Sequence, residues 1–185
     1  MRIAHIEEES FIYGPGRRFV IWTQGCSIRC PGCWNDAMWD FSGGTKTTVD
    51  ELYEKISAGI SSIEGVTILG GEPLDQFEET LELLNKCKTS GLGTMLYTGY
   101  EMPEIEYKKM SAIFSVADIL ITGSYEGDKR TLNREWIGST NQEIHFLSDR
   151  YRNYKKSDAN YVEVTIEESG SITILGFPDL ASSPK

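Results

Sequence analysis

Three cysteines fall within one short stretch, Cys26-Ser27-Ile28-Arg29-Cys30-Pro31-Gly32-Cys33. Thiolates are soft ligands that select iron–sulfur clusters, zinc or copper(I). Their spacing lets one tight loop wrap a single metal centre. A cube of four irons and four sulfides ordinarily takes four cysteines. Three would leave one iron open to a small chelating molecule. A structural zinc site is normally closed by four ligands. The remaining candidates for a fourth, His5, Cys87 and His145, do not stand at a finger spacing. A third reading is three core cysteines without metal. Pro31 and Gly32 argue against it, because they put the thiols in a turn and not on a core face.

Two further stretches follow apolar runs. Gly70-Gly71-Glu72-Pro73 comes directly after Val66–Leu69. Its glycines permit torsions and close approaches that other residues avoid, and Glu72 can accept hydrogen bonds from an ammonium group. The alternative is a plain turn into a helix, with Glu72 at the positive end of the helix dipole. Tyr97-Thr98-Gly99-Tyr100 has the same placement. Thr98 can bond a ribose or a carboxylate while Gly99 leaves room; the alternative is a strand-end turn with core tyrosines. Arg17 and Arg18, after Gly14-Pro15-Gly16, either face an anionic group of a cofactor or partner, or lie on a solvated surface. Asn141 and Gln142 can cap backbone groups or touch substrate. His5 and His145 read as structural or surface residues.

Cys-x-x-x-Cys-x-x-Cys is the signature of radical S-adenosylmethionine enzymes, and the chain resembles that superfamily. Its longer loop, Gly25 to Asn35, stands with Gly14–Arg17, Gly70–Leu74, Tyr97–Tyr100 and Gly138–Gln142. This ordered set is similar to the small activating enzymes of anaerobic ribonucleotide reductase, over roughly residues 1–150. The resemblance implies a 4Fe–4S cluster on Cys26, Cys30 and Cys33, with S-adenosylmethionine on the open iron through its amino and carboxylate groups. It implies that Gly70, Gly71 and Glu72 hold the methionine amino group, and that Thr98 and Gly99 contact the cofactor. The implied reaction is one-electron cleavage of the sulfonium, with an electron donor such as flavodoxin. The resulting radical takes a hydrogen atom from a glycine of a partner glycyl radical enzyme, anaerobic ribonucleotide reductase, so no residue need act as a general base. Two rivals stand beside it: a radical enzyme that modifies a small molecule or peptide, and a non-catalytic iron–sulfur or zinc protein. Many members of the superfamily carry an aromatic residue just before the third cysteine. Here that position is Gly32, which leaves the adenine contact unassigned.

The elements that must position these residues read as α/β. Arg17–Thr23 reads as the first strand, after a lead-in over residues 1–16. Val66–Leu69, Gly93–Tyr97 and Asp118–Thr122 follow as strands. Thr48 and Glu51 form a capping-box pattern ahead of Leu52, Ile56 and Ile60. A second helix is expected to open near Asp75, to carry Phe77, Leu81, Leu84 and Cys87 on one buried stripe, and to end at Gly91. A third starts at Pro103 and runs towards Val116. Such alternation predicts a parallel sheet with right-handed crossovers and chemistry at the C-terminal ends of the strands. Too few strand–helix units fit for a closed barrel, so the expectation is a partial (β/α) barrel of the radical S-adenosylmethionine type. Trp39 and Phe41 are expected to make core contacts. Beyond Gly123 the chain reads as loops, then as a hairpin from Tyr161–Glu167 and Ile172–Leu175. Residues 1–150 form the core and 151–185 an extension of the same domain, with Ala181–Lys185 a frayed tail.

Composition bounds the rest. A chain of 185 residues, 39% hydrophobic and 11% aromatic, suits one folded domain. A net charge of −10 argues against a nonspecific grip on nucleic acid, which needs a basic surface. No apolar run nears the roughly 20 residues that span a bilayer, so no membrane is expected. Met1–Glu9 lacks a secretory apolar stretch, which implies a cytoplasmic protein. Four cysteines, three in one loop, are no disulfide framework.

Overall fold

The computed structural model describes residues 1–177. Its strands are β1 (Arg2–Ser10), β2 (Arg18–Thr23), β3 (Thr45–Lys46), β4 (Gly65–Gly70), β5 (Gly93–Tyr97), β6 (Ile119–Thr122), β7 (Glu143–Phe146), β8 (Val162–Ile166) and β9 (Ile172–Gly176). The first seven make one sheet in the order β3-β1-β2-β4-β5-β6-β7. The central four, β2, β4, β5 and β6, pair in parallel. They are continuous apolar runs because both faces are covered. The sheet as a whole is mixed, which corrects the all-parallel expectation: β1, β3 and β7 pair antiparallel.

Both of the longer antiparallel strands were hidden by their polar residues. The N-terminal segment is not a lead-in but a strand of nine residues. Its acidic stretch, Glu7-Glu8-Glu9, is exposed or half-exposed beside the sheet edge, so no apolar alternation marks it. β7 is four residues long and half-buried at best.

The helices are α1 (Val49–Ala58), α2 (Phe77–Thr89), α3 (Met102–Tyr107) and α4 (Ile113–Val116). Thr48 and Glu51 form the expected reciprocal cap on α1. α2 opens at Phe77, later than expected, because Pro73–Gln76 take a 3-10 turn and the Asp75 carboxylate is bonded to Ser27. The single helix expected from Pro103 is two short ones. Lys109 takes φ +59, and the Met110 N–H turns back to Ile105 O at 2.9 Å, closing α3.

Alternation along the strands sends side chains to two layers. Ile21, Ile68, Leu96 and Leu120 pack with Leu52, Ile56, Leu84 and Cys87 of the helices, so Cys87 is a core residue as expected. Val20, Trp22 and Leu69 point to the other face, as do Met95, Ile119 and Ile121, which pack with Trp136, Ile137 and Tyr151. Irregular chain covers that second face, together with the separate hairpin β8–β9, which forms where it was expected. Ala181–Lys185 lie outside the described residues.

Two expectations fail for physical reasons. Arg18 faces neither cofactor nor solvent. It is fully buried at the N-terminal end of β2, and its five N–H donors go to Thr67 Oγ1, Pro15 O, Tyr151 Oη, Val66 O and Gly93 O. Arg17 is paired with Glu9 on the surface at 3.2 Å. Phe41 is not core but 47% exposed, lying over Gly25. Among the described residues, no helix is long and apolar enough to cross a membrane.

Candidate functional site

The cysteine loop leaves the C-terminal end of β2 and is pinned on both sides. The Gly25 N–H donates to Met38 O at 2.9 Å, and the Cys26 N–H to Trp39 O at 3.2 Å. Asp75 accepts from the Ser27 N–H at 2.6 Å and from the Ser27 hydroxyl at 2.8 Å. Cys26 is buried; Cys30 and Cys33 are half-buried. Each sulfur meets backbone N–H groups: Ile28 and Arg29 at Cys26, Tyr125 at Cys30, Asn35 at Cys33 at 3.4 Å. Burial pushes the Cys26 and Cys30 thiols up, and a bound cation is what makes thiolates of such groups. Among the described residues, no three His, Cys, Asp or Glu side chains converge as around one ion. The corners of a cube stand farther apart than the ligands of a single ion.

Gly70-Gly71-Glu72 ends β4 beside this loop. Gly70 takes φ +112, and a Cβ there would meet the backbone of Thr23 at 2.5 Å. A Cβ on Gly71 would meet Gly25 O at 2.2 Å. The glycines thus let the turn approach the cysteine-bearing backbone. Gly71 N–H donates to Thr23 O and Glu72 N–H to Gly25 O, both at 2.8 Å.

Glu72 is 1% exposed. Its carboxylate accepts from the Leu74 N–H at 2.9 Å, the Thr98 hydroxyl at 2.8 Å and the Gly99 N–H at 2.8 Å. Thr98 and Gly99 therefore meet Glu72. The absent side chain at Gly99 gives room to Ile28 of the cysteine loop. No ion pair reaches Glu72 among the described residues. Burial pushes its carboxyl up to about 7, against the partial relief of those three donors.

All three cysteines, Gly70, Gly71, Glu72, Thr98 and Gly99 line one open pocket. Two buried donors in its wall have no partner among the described residues: Trp39 Nε1 and Asn160 Nδ2. Buried polar groups are ordinarily satisfied, so these two fit a ligand that brings acceptors. The soft donors, the buried carboxylate and the orphaned N–H groups match a cluster carrying a molecule with both ammonium and acceptor groups.

Several contributors were not legible as site residues. Asp75 grips the loop, Tyr125 reaches Cys30, and Tyr13 and Trp22 meet edge-on at 5.1 Å in the pocket wall. Trp136 lines the pocket at φ +65, a torsion rare for a bulky side chain and a mark of functional sites. Its stretch, Trp136–Gln142, was conspicuous in the sequence without a role. There Asn141 and Gln142 cap backbone groups, at Ser124 O and Gly123 O. His5 bonds Glu7 and His145 bonds Thr122.

An α/β chain with three thiols and a buried acid at the ends of parallel strands defines an iron–sulfur protein. Residues 12–145 match the 4Fe-4S single cluster domain, and the chain belongs to that family. It is similar to the anaerobic ribonucleoside-triphosphate reductase-activating protein of Enterobacteria phage T4, 35% identical over 146 residues, 75% of this chain and 90% of that one. The protein of the same name from Escherichia coli K12 is 27% identical over 143 residues, 74% of this chain and 92% of its own. The pyruvate formate-lyase-activating enzyme of Clostridium pasteurianum is 38% identical over 104 residues, covering 54% of this chain and 44% of that enzyme.

Proposed function

We propose that the chain is a radical S-adenosylmethionine activase that makes a glycyl radical on anaerobic ribonucleotide reductase. One observation carries this reading: the loop of three thiols is tied through Gly25 O to the backbone N–H of Glu72, whose buried carboxylate has no ion pair among the described residues. A 4Fe–4S cluster held there would supply, from an external donor, the one electron for cleavage of S-adenosylmethionine to methionine and a 5′-deoxyadenosyl radical, which would take a hydrogen atom from a glycine.

Cys26, Cys30 and Cys33 would hold the cluster. The backbone N–H groups of Ile28, Arg29, Tyr125 and Asn35 spread the sulfur charge, which tunes the potential. Glu72 offers its remaining acceptor capacity to the methionine ammonium, which relieves the electrostatic cost of its burial. Thr98 and Gly99 serve by fixing Glu72. Trp34 and Phe177, with ring centroids 6.1 Å apart, narrow the mouth and limit water.

The parallel strands with all helices on one face are half of a barrel. The open side admits a loop of a protein substrate. Residues 1–150 supply the cysteines and Glu72, and the described residues beyond 150 extend the same domain and complete the pocket wall. An external donor such as flavodoxin supplies the electron, and the protein works in the cytoplasm.

The test is anaerobic reconstitution, reduction and addition of S-adenosylmethionine. Wild type releases 5′-deoxyadenosine, Cys26→Ala does not, and mixing with the reductase produces a glycyl radical signal. Absence of release from cluster-loaded wild type would overturn the reading.

A further inference from the structure

The hairpin β8–β9 is built inside out. Val164 faces Ile174 and Ile166 faces Ile172 across the strands, with Val162 on the same side. These five aliphatic side chains are 44–70% exposed. The opposite face carries Glu163, Thr165 and Thr173, and it is the one turned to the protein at its base. There Glu163 accepts from the Ser10 hydroxyl at 2.6 Å, and Leu175 packs on the cluster of Trp22 and Leu69. The Gly176 N–H donates to Tyr13 Oη at 2.9 Å. A sheet with one wet side ordinarily turns its polar side outward. A two-stranded hairpin is marginal in water by itself, and a contiguous exposed apolar patch marks an interaction surface.

We propose that this outer face, Val162, Val164, Ile166, Ile172 and Ile174, docks the glycyl radical enzyme whose glycine enters the neighbouring pocket. The inference rests on the function proposed above. The base of the hairpin lines the pocket through Asn160, Tyr161, Gly176 and Phe177, so a protein loop entering the pocket passes alongside the strands. The docking face starts at Val162, paired with the pocket residue Gly176, and its five side chains bear no charge, in a chain of net charge −10. The hairpin lies beyond the family match, which ends at 145, so the surface is an addition to the shared core.

The test uses purified anaerobic ribonucleotide reductase and the full chain. Val164→Thr/Ile166→Thr/Ile172→Thr/Ile174→Thr keeps branched, strand-favouring residues while removing the apolar face. Without cluster, its affinity for the reductase by biolayer interferometry is expected to fall at least about tenfold. After reconstitution its 5′-deoxyadenosine release without reductase is expected to match wild type. Should the fourfold variant fail to fold, Ile166→Thr/Ile172→Thr at the tip is expected to weaken binding about threefold or more. Wild-type affinity in the folded variants overturns the docking, as does a wild type that cleaves S-adenosylmethionine but does not bind the reductase. A wild-type dimer split by the threonines gives the face to a second copy. Greater hydrogen exchange across 162–176 after truncation at Phe177 gives it to the chain's own tail. Either result also overturns the docking. Loss of cleavage in loaded wild type instead strikes the functional reading.

Discussion

Glu72 concentrates the electrostatics of the site in one carboxylate. Its carboxyl stands at about 7 in the fold against an ordinary 4.5, chiefly because burial disfavours the charged form. The folded chain therefore holds this proton more tightly than the unfolded chain does. The penalty is absent below about pH 4.5 and complete above about pH 7. Through this group alone, the cluster-free protein loses about 3 kcal/mol of stability between those values. Urea unfolding across that range should show this decline in wild type and a flatter profile in Glu72→Gln. Equal slopes would contradict the assignment. Asp75 acts beside it by holding Ser27. Asp75→Ala should shed iron to a chelator about tenfold faster, since bonds to a charged acceptor are each worth about 1.5–3 kcal/mol. Unchanged release would remove Asp75 from the loop's support. The cysteines and Glu72 each sit in a compact local pattern of the sequence, and the structure brings them to one pocket. The bonds of Thr98 and Gly99 to Glu72 were not legible there, because they join residues 26 and 27 positions apart.

Among the elements, the four parallel strands were legible as apolar runs, and α1 by its capping box. β1 and β7 escaped because edge positions leave polar residues in contact with water, and the split of α3 from α4 turns on one left-handed residue, Lys109. Two joints hold opposite ends of the parallel strands, and the C-terminal one carries the site. At the C-terminal end, Gly71 lets β4 approach the cysteine loop. Gly71→Ala would set a Cβ 2.2 Å from a backbone oxygen, and should cost about 2 kcal/mol or more in urea unfolding and lower iron incorporation. At the N-terminal end, Arg18 ties β2 to the carbonyls of Val66 and Gly93. Arg18→Met leaves those acceptors buried without donors and should cost about 3 kcal/mol or more by the same measurement. A loss under about 1 kcal/mol would show that water replaces the guanidinium.

At the scale of the molecule, helices on one side and irregular chain with a hairpin on the other leave a site open at its mouth. The hairpin itself was legible from alternation around Ser169-Gly170-Ser171. Its attachment to Ser10 and Tyr13 was not, since those bonds span more than 150 positions. On the function proposed above, the enclosure serves one requirement, that a three-cysteine centre keep a place for a ligand from outside the chain. Electron paramagnetic resonance of the reduced, reconstituted protein tests this most directly, recorded with and without S-adenosylmethionine. The account predicts a 4Fe–4S spectrum that changes when S-adenosylmethionine is added. An identical spectrum in both samples would contradict it.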